Sequence, residues 1–210
     1  MSFAMQGSLL DLDDDLTLHP VAEGLTRRAL GAGAWVDLRP GLLTGGDALF
    51  DVLHHDVPWR AERRQMYDNV VDVPRLTRFY DAGETLPHPM LATVREALSD
   101  HYDTELGERF VTAGLCLYRD GRDSVAWHGD RIGRSTTEDT MVAIVSVGSP
   151  RPLMLRPRDG GAATLRLPLG HGDLVVMGGS CQRTWDHAIP KTAKDVGPRI
   201  SIQFRVRGVR

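Results

Sequence analysis

Apolar positions fall into two regimes along the chain. Over residues 21–30, 46–55 and 89–102 they recur with the spacing of one helix face, which predicts three helices. From Arg75 onward the pattern changes to short apolar runs broken by glycine and proline. These predict strands over 75–80, 114–119, 124–128, 141–147, 153–156, 164–167, 173–177 and 199–207. Turn signals separate them: Asp120-Gly121, Gly148-Ser149-Pro150, Asp159-Gly160-Gly161 and Gly170-His171-Gly172. Many short strands with such punctuation predict a sandwich or barrel. The expected fold class is mainly β with flanking α-helices, its C-terminal part a jelly roll of the double-stranded β-helix kind. No internal repeat or long low-complexity linker interrupts it.

At 210 residues the chain is long enough for one domain with a sizeable core. The expected division is a flexible segment over 1–20, acidic through Asp11 and Asp13 to Asp15, followed by a single domain over 21–210. Within that domain a helical flank runs to about residue 110 and the jelly-roll core from about 111. No apolar run reaches membrane-span length, and the N-terminus lacks the basic start and apolar stretch of a signal peptide. Cys116 and Cys181 do not make a disulfide framework. A cytoplasmic, reducing setting and a monomer with no membrane contact are therefore expected.

The net charge of −3 is unevenly placed. Residues 1–118 carry 10 basic and 19 acidic groups, whereas 119–210 carry 15 basic and 9 acidic ones. Arginine supplies 13 of those 15 cations, and its planar fork suits phosphate and carboxylate. Such asymmetry hints at a nucleic-acid partner, and it is equally the signature of an arginine-rich solvated surface.

The basic half also carries the chemistry. His128-Gly129-Asp130 places an imidazole and a carboxylate two residues apart, on the same face if the segment is extended. His187, in Trp185-Asp186-His187, follows 57 residues after Asp130, on a later strand or its loop. A jelly roll can bring such strands together. Two imidazoles and one carboxylate are the ligand set of a non-haem Fe(II) oxygenase, with coordination positions left open. His-x-Asp alone is weak, because it is common by chance and a lone distal histidine can be a satisfied core residue. Since these ligands belong to a site rather than the core, Asp130→Ala is expected to remove turnover and leave the fold largely intact.

The run from Arg199 to Arg205 strengthens the reading. With period two, Arg199, Ser201, Gln203 and Arg205 share one face and Ile200, Ile202 and Phe204 the other. The arginines are roughly 20 Å apart along an extended strand, too far to grip one carboxylate. They could reach inward from either end of a small dicarboxylate. Buried cations need anionic partners, because unpaired buried charge is costly. The competing reading is an amphipathic edge strand with a wet polar face.

These segments together resemble the AlkB family of Fe(II)- and 2-oxoglutarate-dependent dioxygenases, in particular the branch containing nucleic-acid repair enzymes of animals. The resemblance runs from about Pro58 to Arg207. It rests on Pro74-Arg75-Leu76-Thr77, on Leu117-Tyr118-Arg119-Asp120-Gly121 leading into Ala126-Trp127-His128-Gly129-Asp130, on 170–179, on Trp185-Asp186-His187-Ala188-Ile189-Pro190-Lys191 and on Pro198 through Arg205. The resemblance implies that His128, Asp130 and His187 hold Fe(II) and act as the catalytic centre. It implies that Arg199 pairs with the distal carboxylate of 2-oxoglutarate, that Arg205 lies near the metal-bound end, and that Tyr118 donates to the cosubstrate. The implied reaction converts 2-oxoglutarate to succinate and CO2 and hydroxylates an N-methyl group on a base, which then loses formaldehyde. Expected substrates are 1-methyladenine and 3-methylcytosine in single-stranded or damaged DNA or RNA, since the base must leave its stack. Tyr67 is the candidate platform for that base and Trp185 a second. Arg75, Arg156 and Arg158 are candidates for phosphates or the lesion, with ordinary surface arginine the alternative.

Two positions depart from the family pattern. Cys116 stands where the family has asparagine and cannot offer the same amide bonds, which bears on cosubstrate affinity. Arg131, Ile132 and Gly133 follow Asp130 where repair members carry a short acidic run, which bears on substrate identity. Two rivals remain at this level: the same oxygenase chemistry on a tRNA base, a protein or a small molecule, and a catalytically silent nucleic-acid-binding module.

Overall fold

Two apolar runs, 142–147 and 174–179, are buried residue for residue, which requires neighbours on both edges and both faces. The computed structural model describes residues 15–66, 69–131, 133–160 and 164–209. In chain order the strands are β1 (Thr17–Leu18), β2 (Thr26–Gly31), β3 (Ala34–Arg39), β4 (Leu43–Thr44), β5 (Arg60–Met66), β6 (Asn69–Tyr80), β7 (Phe110–Tyr118) and β8 (Val125–His128). They continue with β9 (Val142–Gly148), β10 (Arg151–Pro157), β11 (Leu165–Leu169), β12 (Leu174–Gly179), β13 (Trp185–Ile189) and β14 (Arg199–Val206). The helices are α1 (Asp47–Asp56), α2 (Pro89–Leu106) and the short α3 (Cys181–Thr184). One sheet has the order β2-β3-β12-β9-β14-β7-β6-β5, and a smaller one β11-β10-β13-β8, with β1 and β4 paired apart. All pairs are antiparallel, and the two main sheets form the jelly roll.

The helices at 46–55 and 89–102 form as the apolar spacing predicts, and α2 runs one turn further. Leu91, Val94, Leu98 and Tyr102 make its buried stripe. Pro89 opens it, the His88 side chain accepts from the Met90 N–H, and left-handed Gly107 closes it. Among the described residues no helix is long and apolar enough to cross a membrane.

The expected helix at 21–30 is instead a turn followed by β2. A partner decides it: Arg27 stacks over the Trp35 ring at 3.8 Å and forks onto buried Asp37 at 2.7 and 2.8 Å. Tyr102 of α2 donates to the same carboxylate at 2.8 Å, so one buried charge ties the hairpin to the helix. The flank assigned to 21–110 is accordingly as much strand as helix, with β2, β3, β5 and β6 adding to the larger sheet. Ordered structure also begins before residue 21, because β1 pairs with β4 and the His19 N–H donates to the Leu42 carbonyl.

Gly178 of β12 faces Trp35 so closely that a Cβ there would lie 2.0 Å from the ring. Gly178→Ala must therefore move the indole that carries Arg27. We expect a loss of about 1–3 kcal/mol of stability in denaturant unfolding, the usual cost of overpacking a filled site. An unchanged midpoint would show that the ring gives way freely.

Candidate metal and cosubstrate site

The smaller sheet brings the histidines together. His128 closes β8 and pairs directly across the ladder with His187 of β13, their rings 4.2 Å apart between centroids. The His128 Nδ1 lies 2.8 Å from the Ala126 carbonyl and must donate to it, which leaves Nε2 free as a ligand. Asp130 follows β8 by two residues and turns Oδ1 toward both imidazoles, 3.5 Å from His128 Nε2 and 4.0 Å from His187 Nε2. One ligand atom from each of the three lies within 4.8 Å of the others. Burial, with His128 alongside, pushes the His187 imidazolium down to about 3, so this ring is neutral and ready to bind a metal at ordinary pH.

The other Asp130 oxygen is committed elsewhere. Arg205, on β14 of the larger sheet, donates to Oδ2 through Nη2 at 2.8 Å and Nε at 3.1 Å. Burial alone would raise the Asp130 carboxyl; Arg205 and the two imidazoles outweigh it and hold the group well below the usual carboxylate range. Asp130 is thus an anion with one oxygen toward the ligand cluster and one fixed across the gap between the sheets. The ligand is part of a buried ion pair, so its removal should cost stability as well as the metal, against the expectation that the fold would be left largely intact.

The larger sheet supplies a polar lining. Register places Ser201 beside both Ser146 of β9 and Cys116 of β7, with Thr77 of β6 next in the same row. Arg199 pairs with Tyr118 on one side and Gly148 on the other. Its side chain is 1% exposed; Nε donates to Ser146 Oγ at 2.7 Å, the guanidinium sits over the Tyr118 ring, and Nη1 has no hydrogen-bond partner among the described residues. Burial works against this cation, lowering its affinity for the proton. A buried guanidinium with an idle donor is costly unless an anion completes it. Burial also pushes the Tyr118 hydroxyl up to about 12, so it is a donor at neutral pH. Gln203 Nε2 donates to Cys116 Sγ at 3.5 Å and Gln203 Oε1 accepts from Arg205 at 2.5 Å.

These donors fit the group that the sequence implies. His128, Asp130 and His187 offer the nitrogen and oxygen atoms suited to Fe(II), and Arg199, with Ser146 and Tyr118 beside it, offers a carboxylate receptor. Arg205 serves the metal end by holding Asp130. Arg75 lies beside Cys116 and Tyr118, its Nε unpaired, so it belongs to the same lining.

Other candidates land elsewhere. Leu155 is the residue opposite His187, so its neighbour Arg156 points to the outer face of the small sheet, over the Trp127 ring at 4.4 Å and 3.7 Å from Asp186. Arg158 lies 3.6 Å from the same Asp186. Neither reaches the ligand cluster. Trp185 is 9% exposed and packed in the hydrophobic core, which favours a packing role over base stacking. Tyr67 lies outside the described residues. Sequence reasoning passed over Ser146, although a single hydroxyl in the apolar run 142–147 was a legible signal. It also passed over Gln182 and Ser135, which hold the Asp130 backbone and carry no signal of their own.

Jelly roll, ligand cluster and carboxylate receptor together define an Fe(II)- and 2-oxoglutarate-dependent dioxygenase. The model of the 2OG-Fe(II) oxygenase superfamily matches residues 53–205. The alpha-ketoglutarate-dependent dioxygenase alkB homolog 3 of Bos taurus is 33% identical over 211 residues, covering 91% of this chain and 69% of its own. The human DNA oxidative demethylase ALKBH2 is 30% identical over 178 residues, covering 76% of this chain and 67% of its own. The chain belongs to the AlkB family. Solved structures agree on the fold: OsALKBH1 superposes with a TM-score of 0.59 at 13% identity, covering 85% of this chain and 100% of that one. A 2OG-Fe(II) oxygenase-family oxidoreductase from Burkholderia pseudomallei gives 0.54 at 11% identity, covering 88% and 85%.

Proposed function

We propose that this enzyme oxidatively demethylates alkylated bases, of the 1-methyladenine and 3-methylcytosine type, in single-stranded DNA or RNA. The observation that carries the reading is the similarity, over three quarters of the chain, to a relative named for DNA oxidative demethylation. The arginine-rich half that holds the site supports a phosphate-bearing substrate.

When bound, Fe(II) with 2-oxoglutarate and O2 supplies the oxidation of an N-methyl group, 2-oxoglutarate leaving as succinate and CO2. The chain's own residues prepare that chemistry. Neutral His187, the free Nε2 of His128 and anionic Asp130 present three donors, and Arg205 keeps the carboxylate from rotating. Arg199, with Ser146 and Tyr118 beside it, would receive one carboxylate of the dicarboxylate. The His128 side chain is 38% exposed, against 9% for His187, so a flipped base would approach over His128. The hydroxymethylated base then releases formaldehyde without further help.

A second reading keeps the chemistry and changes the substrate to a tRNA base, a protein or a small molecule. Exposed Arg131, where repair members carry an acid, favours it, because a cationic methylated base gains nothing from a guanidinium. The test incubates Fe(II)-loaded protein with 2-oxoglutarate, O2 and single strands carrying either lesion, and reads oligonucleotide mass. Loss of one methylene per lesion, absent without 2-oxoglutarate, is expected. Succinate formed with no change of mass would overturn the base-repair reading.

A further inference from the structure

We infer that Gln182 is the positioning residue that fixes Asp130 relative to His187. The inference rests on the metal-centre reading of these ligands. Gln182 is 1% exposed and sits in α3, which runs directly into the strand carrying His187. Its Oε1 accepts from the Asp130 backbone N–H at 2.9 Å. Its backbone carbonyl lies only 2.4 Å from where a Cβ on Gly129 would be, and the Trp185 carbonyl 3.3 Å from that point. The 182–185 backbone therefore packs directly on the His-Gly-Asp turn, which explains the glycine between the two ligands. Ser135 Oγ donates to the Asp130 carbonyl from the other side.

The side chain is used as an acceptor. The Asp130 N–H can only donate, so the amide oxygen must face it, and the amide nitrogen is left toward the Met177 sulfur at 4.0 Å. Among the described residues that nitrogen meets a weak thioether acceptor and no other, and burying such an amide is unfavourable unless its oxygen is needed. The oxygen satisfies the one backbone donor whose displacement would swing the Asp130 carboxylate away from the imidazoles. Arg205 restrains that carboxylate from the larger sheet. Gln182 restrains its backbone from the segment that leads to the third ligand, so both ligand-bearing segments move as one.

The test compares Gln182→Met, which fills similar space with no acceptor of comparable strength, with Gln182→Glu, which keeps the acceptor. Binding of Mn(II) to metal-free full-length protein is titrated by loss of the free-ion electron paramagnetic resonance signal. Circular dichroism and thermal unfolding of the metal-free proteins are recorded alongside. Removing a group that orients a ligand is expected to weaken Mn(II) binding about ten- to a hundred-fold in Gln182→Met, with the folded spectrum kept. Gln182→Glu should bind close to wild type. Wild-type affinity in Gln182→Met overturns the proposal, as does equal weakening or unfolding of both variants, which would assign Gln182 to packing alone. Failure of the wild-type protein itself to bind Mn(II) would instead sink the metal-centre reading.

Discussion

Asp130→Ala loses metal binding and turnover together, and it also loses stability in the absence of any metal. The first result follows from removing the only carboxylate of the ligand cluster, and turnover should fall to background. The second follows from Arg205. Its side chain is 10% exposed and directs two donors at Asp130 Oδ2, so among the described residues alanine leaves a buried cation with the Gln203 amide oxygen as its remaining acceptor. Breaking such a pair from one side costs about 3–5 kcal/mol, because the remaining charge stays desolvated. Asp130→Asn should lose the metal and less of the stability, since the amide oxygen can still accept from Arg205. Adding Arg205→Met to Asp130→Ala should restore much of the loss, without restoring metal binding. Denaturant unfolding of the metal-free proteins checks the order. Equal stability of wild type and Asp130→Ala would show that the pair is solvated in solution.

The contrast between Asp130 as a ligand and Asp130 as half of an ion pair marks what the sequence could carry. The alternation from Arg199 to Arg205 was legible because one strand's faces depend only on local geometry. Which of those arginines meets the aspartate was not, because that contact spans 75 residues and two sheets. His128 and His187 could be assigned to one centre, but their direct pairing across β8 and β13 depends on a strand, Trp185–Ile189, too short to stand out. The helix expected over 21–30 failed for a related reason. Its apolar spacing suited a helix, while the stronger determinants, Trp35 and Asp37, lay beyond the segment and captured Arg27 into a hairpin. Arg156 reads as a basic residue near a motif, yet strand parity sends it to the outer face, opposite to His187. Local pattern located the chemistry; pairings distant in sequence decided which group restrains which.

Arg199 offers the sharpest separation between binding and folding. Its Nη1 is idle and its cation buried, so before cosubstrate arrives it is a strained element of the site rather than a support. Arg199→Met replaces that cation with an apolar chain of similar length. The metal-free, cosubstrate-free protein should be as stable as wild type or more so, as when a buried charge is exchanged for a well-packed hydrophobe. Affinity for 2-oxoglutarate should fall by about 2–5 kcal/mol, the range for losing one partner of a buried charged hydrogen bond, which is roughly thirty- to several thousand-fold. The two effects have opposite signs, and an ordinary structural arginine would not produce them together. Wild-type protein should also show a rise in unfolding temperature with 2-oxoglutarate and Mn(II), because a ligand that binds only the folded state stabilises it by RT ln(1 + [L]/Kd). That rise should vanish in Arg199→Met at the same concentrations, while Mn(II) binding alone persists. A variant that is destabilised yet keeps the 2-oxoglutarate shift would move the carboxylate receptor away from Arg199, with Arg75, whose Nε has no hydrogen-bond partner among the described residues, the next group to test.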